Sequence, residues 1–553
     1  MFMIYNIGMF LKRCARIHKG KTYQSWWIVE AHREKGKIKH RYIMNVTRFT
    51  PSQRKRIVKL LRSPDAQLIE DMEEFFQEGV GYGDIVFFLY QIRQLGVTSI
   101  LKKYLSRKAL SLTLAVMLNR IIRPSSKMEA IEWIKETSFP HFCPLKEKDY
   151  QANRVYEAMD KVYDDLDNIM EDFYQLSEEK PLFLLYDVTS VYFEGRCVKK
   201  AKNGYSRDRR PDRPQVLLGL VLNEKGFPIH FEIFEGNLKD SETLQGVVKK
   251  VKERFGLEKG IIVGDRGMIT TNNIEAIAGE SLGYIMALKH EGAKNFLREK
   301  RIQLELFDKR LPLTIFEEEG KKYILCGSEY RKERDSYVFN KLLEKGKEAL
   351  EVVERMIRQG RLKKYEKVIR RAQKKLTESG ATRYYDFSYE EEERKFTIIE
   401  KENEIEKAKA LCGYYVLKTS EVEMQDDKVE EHYKKLREVE QVFRDLKDLI
   451  DIRPIYHWID RRVKTHIFLC LLSQVVLGRV RKRLKEKGWL GKKKENTLER
   501  FITLLGTVQL GEFSLEDKTI LRVQKKNPLE KILQRIFDLS PSHLARDTEI
   551  CRV

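Results

Sequence analysis

The sequence predicts an α/β protein in which a mixed sheet flanked by helices is interrupted by an inserted subdomain and preceded by a β-rich and a helical region. Three observations support this fold class. Between residues 179 and 290, short apolar runs typical of buried strands alternate with helical periodicity. Residues 291–410 are highly charged and break that pattern. Residues 411–480 then return to an apolar run and an amphipathic helix, so we expect one sheet built from two parts of the chain.

The N-terminal segment, residues 1–65, is predicted to be a small basic β-rich module. Residues 11–60 contain 15 Lys or Arg but only Glu30 and Glu34, and alternating segments at 23–31 and 40–46 flank a polar turn. This basic surface either contacts DNA or is simply solvated. Residues 66–178 are predicted to be helical, as a DNA-binding or packing region, because apolar residues recur there at steps of three and four.

The first part of the core, residues 179–290, has a readable element order. Three strand-like runs, a helix, a fourth run, a second helix and a fifth run give the order β-β-β-α-β-α-β, typical of a mixed sheet with helices packed on it. The strand-like runs lie at 182–186, 216–222, 229–234, 260–264 and 284–288. The remaining segments are predicted as an inserted subdomain (291–410), the second part of the core (411–480) and a basic C-terminal region (481–553).

Composition narrows the classes of partner. The 553 residues are 42% hydrophobic and 34% charged, with 106 Lys and Arg against 84 Asp and Glu and a formal charge of +22. A polyanion such as nucleic acid is the leading partner, because Lys and Arg contacts to phosphates supply most non-specific affinity. On charge alone, an ordinary basic soluble protein remains an equal alternative.

Cysteine and apolar patterns indicate a compartment. The seven cysteines are scattered singly without a C-x-x-C pair, which fits a reducing cytoplasm better than a zinc ribbon or a disulfide framework. The longest apolar run, the 12 residues 467–478, is too short to span a bilayer and suits a buried helix. No signal peptide and no membrane role are expected.

Two carboxylates stand at strand ends. Asp187 and Asp265 each follow an apolar run, where a strand delivers a side chain to one edge of the sheet. A single aspartate at such a place is more often a turn or helix-cap residue, but two of them on neighbouring strands are more telling. Hard divalent cations that catalyse phosphoryl transfer require convergent acidic oxygens of this kind.

A third carboxylate lies on a helix predicted over residues 428–450. Glu440 shares one stripe with apolar and basic side chains, and a carboxylate facing the core must be paired or bind a cation. A surface ladder of salt bridges with Arg437 and Arg444 is the alternative explanation. The stripe contains Tyr433, Leu436, Arg437, Glu440, Phe443, Arg444 and Lys447.

The segment YKKLREVEQVFRDLK, residues 433–447, resembles the tyrosine, arginine, glutamate, lysine signature of bacterial insertion-sequence transposases of the DDE class, in the insertion-sequence-four group. Tyr433, Glu440 and Lys447 match in type and spacing, whereas Leu436 stands where the arginine is expected and Arg437 follows it. The segments YDVTS, GYSRDRRPDRPQVLLGLVL, GDRG and DIRPIYHW look like the subgroup with a long insertion before its last acidic residue.

The resemblance implies a ribonuclease-H-like core interrupted by a β-rich insertion. It implies that Asp187, Asp265 and Glu440 are the catalytic residues and hold two Mg²⁺ ions, with Mn²⁺ as an alternative. Tyr433, Arg437 and Lys447 would bind DNA. Residues flanking the metal site would be Thr189, Arg266 and Gly267, for which a turn hydroxyl, a solvated charge and a tight-turn glycine are equally good explanations.

The implied function is metal-dependent strand cleavage at insertion-sequence ends and strand transfer into target DNA. The partners would be double-stranded DNA, as terminal inverted repeats and target, and a second copy of the chain in a synaptic complex within the bacterial cytoplasm. A catalytically inactive or domesticated DNA-binding protein and a nuclease without strand transfer are the alternatives. A phosphate-binding loop at Lys21 and Thr22 is disfavoured because Ala15 occupies the place of its first glycine, and no H-E-x-x-H motif of a zinc protease is present.

Overall fold

The structure of the chain is a computed structural model, and it divides into two compact units, Met1–Gly79 and Val80–Val553. The described residues are 6–18, 21–34, 37–62, 79–176, 181–268, 270–288, 293, 312–491, 493, 495–515, 518–523 and 527–539. Several predicted stretches therefore lie outside the described residues. These are the start of the helical region at 66–78, most of 291–311 in the insertion, part of the basic stretch 492–494, and residues 540–553.

The first unit is a three-stranded antiparallel sheet in the order β1-β2-β3, followed by helix α1. Its elements are β1 (Asn6–His18), β2 (Lys21–Glu34), β3 (Lys37–Asn45) and α1 (Pro51–Arg62). Val29, Ala31 and Val46 are buried within it, and the Arg54 guanidinium lies 4.9 Å from the ring centre of Trp26. Aromatic side chains also contact each other across the strands, with the ring centres of Trp27 and Tyr42 5.5 Å apart.

An eight-stranded mixed sheet organises the second unit, in the order β10-β11-β14-β9-β8-β5-β6-β7. Strands β5, β8 and β9 are parallel, whereas β6 and β7 are antiparallel additions to β5. The strands are β5 (Phe183–Tyr192), β6 (Gln215–Asn223), β7 (Pro228–Glu235), β8 (Ile261–Gly264), β9 (Gly283–Ala287), β10 (Leu313–Glu318), β11 (Lys321–Gly327) and β14 (Tyr414–Thr419). This order confirms the predicted ribonuclease-H-like mixed sheet.

Both faces of the sheet are covered, which explains why its central strands read as continuous apolar runs. On β5, Leu184 and Tyr186 join one apolar cluster, while Phe183 and Leu185 join the other, as alternation along a strand requires. Helices α9 (Asp240–Phe255) and α10 (Thr271–Gly279) cover the first face. The opposite face packs against α14 (Asp426–Lys434), α15 (Leu436–Asp448) and α16 (Asp460–Glu486).

The single helix predicted from the sequence at 428–450 is two consecutive helices in the structure. The amphipathic stretch expected at 428–450 breaks between α14 and α15 at Lys435, where the Glu438 amide donates to the Lys435 carbonyl at 2.9 Å. Lys435 keeps right-handed helical backbone angles, so the break is a local tightening and not a change of direction.

A layer of helices before β5 shares its apolar core with α16 and with the C-terminal helices. These helices are α2 (Gly83–Gln94), α3 (Val97–Tyr104), α4 (Arg107–Ile122), α5 (Lys127–Lys135), α6 (Phe139–Phe142), α7 (Ala152–Asp164), α8 (Leu166–Gln175), α17 (Leu498–Gly506) and α18 (Asn527–Phe537).

Helix α16 is long and apolar enough to cross a membrane, but 83% of its most apolar 18-residue segment is buried inside the fold, as in a core helix.

The C-terminal region contains a hairpin that the sequence did not predict. Strands β15 (Gln509–Leu515) and β16 (Lys518–Val523) pair with each other, and β15 also pairs with the short strand β4 (Val80–Gly81). The end of the chain is thereby tied to the beginning of the second unit.

The insertion between β11 and β14 has its own apolar core. It consists of α11 (Glu329–Arg358), α12 (Tyr365–Ser379), the hairpin of β12 (Tyr385–Glu390) and β13 (Lys395–Glu400), and α13 (Glu402–Ala410). Over its described residues the insertion is mainly helical, so the β-rich insertion that the resemblance implied is wrong there. Residues 313–318 and 321–327, at the start of the predicted insertion, extend the main sheet as β10 and β11. The first helix, α11, ends just before Gly360, which has a left-handed φ of 68°.

A tight contact on β6 gives a first prediction. A Cβ added at Gly219 would lie 2.7 Å from the Tyr186 hydroxyl oxygen and 2.9 Å from Phe234 Cε2, so Gly219→Ala should lower stability by about 1–3 kcal/mol. Gly246, on the exposed side of α9, has no atom within 4 Å of such a Cβ, and Gly246→Ala should raise stability by about 0.5–1 kcal/mol. Thermal unfolding of both variants checks the opposite signs. Equal effects of the two substitutions would contradict the packing around Gly219.

Candidate active site

Asp187 and Asp265 are neighbours across parallel strands, but the predicted strand end at Asp187 is wrong because β5 continues to Tyr192. Tyr186 of β5 is in register with Gly264 of β8, so Asp187 and Asp265 each occupy the next position along their strands. Strand β8 ends at Gly264 while β5 continues to Tyr192. Asp187 therefore lies where the sheet opens beyond the carboxyl end of β8, in the type of crevice where open α/β sheets bind ligands.

The surroundings of Asp187 disfavour its negative charge. Burial, and to a smaller extent the nearby charges of Asp265 and Asp240, raise the pKa of this carboxyl to about 7. The Val188 amide, which donates to Asp187 Oδ1 at 2.7 Å, and the Arg207 guanidinium act in the opposite direction. A bound cation would stabilise the negative charges of carboxylates placed this close together.

Sequence analysis did not assign roles to Arg207 and Asp240, which complete this environment. Their side chains form an ion pair, and Asp240 is the first residue of α9. The Arg207 amide also donates to the Ser190 hydroxyl at 3.0 Å, which ties the segment after β5 to that strand. Arg207 lies in the GYSRDRRPDRPQ segment that carries part of the family resemblance. That segment was the sequence feature from which a role for Arg207 could have been predicted.

Tyr433 reaches the site from α14. Its hydroxyl donates to Asp265 Oδ1 at 3.3 Å, and burial together with Asp265 raises the pKa of Tyr433 to about 12. Arg331, from the first turn of α11 in the insertion, lies beside Tyr433 and 4.3 Å from the ring centre of Tyr415. Its Nη1 is buried and has no hydrogen-bond partner among the described residues. The insertion thus brings a cation near Asp265 that sequence reasoning missed.

Lys447 is held inside the protein by a carboxylate. Its Nζ lies 2.8 Å from Asp208 Oδ1, which also accepts from Arg453 Nε at 2.9 Å. The Asp208 side chain is only 3% exposed and receives a further hydrogen bond from the Ser190 hydroxyl at 3.5 Å. Burial lowers the pKa of Lys447, and Asp208 opposes that effect.

Glu440 lies between these two anchored residues. It is seven residues from Tyr433 and seven from Lys447, and α15 packs against β5. Seven residues make about two helical turns, so the three residues share one side of the nearly continuous α14 and α15. Glu440 is exposed, and within the described residues it forms no salt bridge with Arg437 or Arg444, so the salt-bridge ladder is absent there.

Two other acids of α15 have different surroundings. Asp445 is 1% exposed, forms a salt bridge with Arg481 of α16 and accepts from Gln441 at 2.7 Å. Glu438 lies against the turn between β6 and β7, 3.5 Å from where a Cβ of Gly226 would be. Of the three carboxylates, Glu440 alone is exposed on the stripe that joins Tyr433 to Lys447.

The structure brings Asp187 and Asp265 together but does not close a three-acid site. In the described parts of the chain, no three His, Cys, Asp or Glu side chains lie close enough to hold one metal ion. The adjacent aspartates, with the raised pKa of Asp187, nevertheless fit hard divalent cations, which prefer carboxylate oxygens. Glu440, the third predicted ligand, does not join the two aspartates in a ligand cluster within the described residues.

The remaining predicted residues surround this pair. Thr189 is buried two positions after Asp187 and on the same face of β5. Arg266 and Gly267 follow Asp265 in a short 3-10 turn, and a Cβ at Gly267 would meet Asp240 only at 3.8 Å. Gly267 lacks a positive φ, so a tight-turn requirement does not explain it.

The transposase DDE domain model matches residues 178–476, more than half of the chain. The chain belongs to the DDE transposase family. This match spans Asp187, Asp265 and Glu440, and the function of the chain is DNA transposition. A second model, the N-terminal domain of IS1634 family transposases, matches residues 11–73. IS1634 is a group distinct from the insertion-sequence-four group that the sequence motifs resemble.

Other comparisons add little for this transposase. A comparison with curated proteins found no match. Among solved structures, the cryo-EM structure of a piggyBac transposase synaptic complex with hairpin DNA is similar over 87% of this chain and 85% of that chain. The identity is 8% and the TM-score is 0.37, so no functional conclusion rests on it.

Proposed function

We propose that this transposase cleaves DNA strands at insertion-sequence ends and joins them to target DNA with two divalent metal ions held by Asp187, Asp265 and Glu440. The observation that carries the proposal is the adjacency of Asp187, within β5, and Asp265, directly after the parallel strand β8, with the pKa of Asp187 raised to about 7. Mg²⁺ is the proposed ion, and Mn²⁺ is the alternative.

When bound, such ions activate the attacking oxygen and stabilise the leaving oxygen of a phosphodiester. The protein's own contribution is to place the ligands. Strands β5 and β8 fix Asp187 and Asp265 in a rigid sheet, while α15 carries Glu440 on a helix anchored at both ends by Tyr433 and Lys447. The proposal requires α15 to bring Glu440 to the two aspartates when the ions bind.

The three residues proposed to bind DNA differ in whether their side chains already have hydrogen-bond partners within the protein. Arg437 is exposed and free to meet a phosphate. Tyr433 and Lys447 instead hold Asp265 and Asp208, so their direct contact with DNA requires those hydrogen bonds to exchange. In the state described, both residues act as positioning residues for Glu440.

The proposed partners are terminal inverted repeats and target DNA, with a homodimer bringing two ends together in the bacterial cytoplasm. The basic N-terminal sheet and the net charge of +22 support contact with duplex DNA. A nuclease that cleaves DNA without joining it would use the same site, and only a strand-transfer assay distinguishes such a nuclease from a transposase. An inactive DNA-binding protein is disfavoured because all three acids are present.

The test compares Glu440→Gln with Glu438→Gln in Mg²⁺-dependent cleavage and joining of DNA that carries the parent element's ends. Glu440→Gln removes one metal-binding charge and should lower both reactions by at least about a hundredfold, with DNA binding retained. Glu438→Gln, two residues away and directed to the β6–β7 turn, should change them less than about twofold.

Either of two outcomes contradicts the assignment. Full activity of Glu440→Gln would remove it from the metal site, and an equal loss in both variants would indicate a general disturbance of α15. Cleavage without joining in the unaltered protein would favour the nuclease.

A further inference from the structure

A cavity of about 390 Å³ lies where the connection from α4 to α5 meets the segment between α15 and α16. We call it the Lys127 cavity. It is separate from the paired aspartates, and none of the residues assigned to catalysis lines it. The lining residues used below are Arg120, Lys127, Tyr156, Tyr456, Trp458 and His466.

Lys127 forms the charged floor of this cavity. It is 7% exposed, and its Nζ has one polar neighbour, His466 Nδ1 at 3.5 Å. His466 Nε2 must donate to the Ile452 carbonyl oxygen at 3.1 Å, because a carbonyl only accepts, so Nδ1 accepts from Lys127. An ammonium has three donors, and among the described residues no carboxylate forms an ion pair with Lys127. Burial and the charge of Arg120 accordingly lower the pKa of Lys127 to about 7.

Arg120 adds a second buried cation without a carboxylate partner. Its Nη1 donates to the Asp451 carbonyl oxygen at 3.1 Å, and its Nη2 donates to the Ser125 carbonyl oxygen. Its Nε is buried and lacks a hydrogen-bond partner within the described residues. The described hydrogen bonds of this guanidinium all go to neutral carbonyls, and the Asp451 carboxylate acts on its charge without forming an ion pair in the described part of the chain.

The carboxylates around the cavity are engaged elsewhere or exposed. Glu129 accepts from the Ser126 amide at 3.1 Å as part of the cap of α5, and Asp160 is paired with Arg461 and Arg462, each at 2.9 Å. Asp451 is exposed and lies near enough to Arg120 to interact with its charge, and Glu194 accepts from the Tyr456 hydroxyl at 3.4 Å. An anion entering the cavity would therefore meet Lys127 and Arg120 on its floor, with these two carboxylates on the side of Tyr456.

Aromatic side chains surround the opening. Tyr456 is 60% exposed and Trp458 is 55% exposed, and the Arg196 guanidinium lies 6.0 Å from the ring centre of Trp458. Large exposed aromatics next to a basic floor are the combination that stacks nucleic-acid bases while binding phosphates.

The opening is continuous with the strand that carries Asp187. The Ile455 amide donates to the Tyr192 carbonyl oxygen at 3.0 Å, and Ile455 forms a β-bridge with Phe193. Tyr192 is five residues after Asp187, which corresponds to about 17 Å along β5. A DNA strand lying at the aspartates could extend to the cavity along this edge.

We propose that the Lys127 cavity binds one phosphate-bearing nucleotide of a DNA strand, with its phosphate at Lys127 and Arg120 and its base against Trp458 or Tyr456. The inference rests on the proposed function only in taking DNA as the substrate. A free nucleotide offers the same chemistry, so the experiment must separate the two sources.

The test uses the full chain carrying Asp187→Asn, without metal, so that no cleavage occurs. A single-stranded oligonucleotide containing 5-iodouracil is photocrosslinked, and the labelled peptide is identified by mass spectrometry. We expect the label on Tyr456 or Trp458. Lys127→Met and Trp458→Ala should each weaken oligonucleotide binding roughly tenfold, from loss of a charged hydrogen-bond donor and of a stacking ring.

Matched controls lie outside the cavity. Lys148→Met removes an exposed lysine, and Tyr365→Ala removes a tyrosine that is 50% exposed, and neither should change binding by more than about twofold. Replacing a buried charge with an apolar side chain of similar shape does not by itself unfold a protein. Thermal unfolding of Lys127→Met verifies this, and Trp458→Ala tests the cavity independently at an exposed position.

The outcomes are distinct. Labelling at the opening that Lys127→Met reduces supports the proposal, whereas labelling elsewhere or unchanged binding in both variants overturns it. Inorganic phosphate or thymidine monophosphate binding as tightly as the oligonucleotide would overturn the assignment to a DNA strand. Normal metal-dependent cleavage by the protein with Asp187 intact, together with no label at the opening, would reject the cavity alone and leave the proposed function in place.

Discussion

Replacing Asp187 by asparagine is expected to stabilise the metal-free protein at pH 8 while lowering DNA cleavage by roughly a thousandfold. The pKa of this carboxyl is about 7 in the fold, against 3.8 as its ordinary value. The folded state therefore prefers the protonated form. Stability from that preference is complete below pH 3.8, declines as pH rises, and is lost above about pH 7.

Asparagine removes the ionisation and keeps the shape of the side chain. Because one pKa unit corresponds to about 1.4 kcal/mol, the gain at pH 8 should be a few kcal/mol, and it should vanish near pH 4. Asp265, Asp240 and Arg207 remain in both proteins, so the difference isolates Asp187. Thermal unfolding from pH 4 to 8 without metal measures the gain.

The control is Asp164→Asn, at an exposed carboxylate paired with Lys161 on α7. It should show no comparable dependence on pH. Added Mg²⁺ should raise the unfolding temperature of the unaltered protein more than that of Asp187→Asn. A variant that is less stable at pH 8 than the unaltered protein would refute the strained environment of Asp187, and full cleavage activity would remove this residue from the metal site.

The second large effect is expected at Asp208, where alanine should destabilise the protein by about 3–5 kcal/mol. The Asp208 side chain is 3% exposed and accepts from Lys447 at 2.8 Å and Arg453 at 2.9 Å. Its removal leaves two poorly hydrated cations next to each other. It also frees Lys447, which anchors one end of the helix carrying Glu440, so cleavage should fall beyond the effect of lower stability.

A control variant and a double variant test whether the loss of stability comes from the buried ion pairs of Asp208. Asp212→Ala, in the same segment but 58% exposed, should change stability by less than about 0.5 kcal/mol. Adding Lys447→Met to Asp208→Ala should restore part of the lost stability, because one uncompensated charge disappears. Denaturant unfolding at neutral pH measures all three proteins. A loss as small for Asp208→Ala as for Asp212→Ala would contradict a buried ion network.

Local patterns identified the framework of the catalytic core. The apolar runs that end at Asp187 and Asp265 became β5 and β8, since a strand covered on both faces needs a continuous apolar sequence. The same patterns did not predict where the insertion begins. Charged sequence concealed that β10 and β11 continue the main sheet. The edge strand β10 has no fully buried residue, and such a strand resembles an exposed segment in sequence.

The sequence by itself determined the order of elements, the positions of the three acids and the stripe of Tyr433, Glu440 and Lys447, because strand and helix periods are properties of neighbouring residues. Only the tertiary structure decided which charges meet. Tyr433 and Asp265 are 168 residues apart, and Lys447 and Asp208 are 239 apart. Such partners follow from how the sheet and helices pack, and burial then sets their pKa values and strengthens their ion pairs.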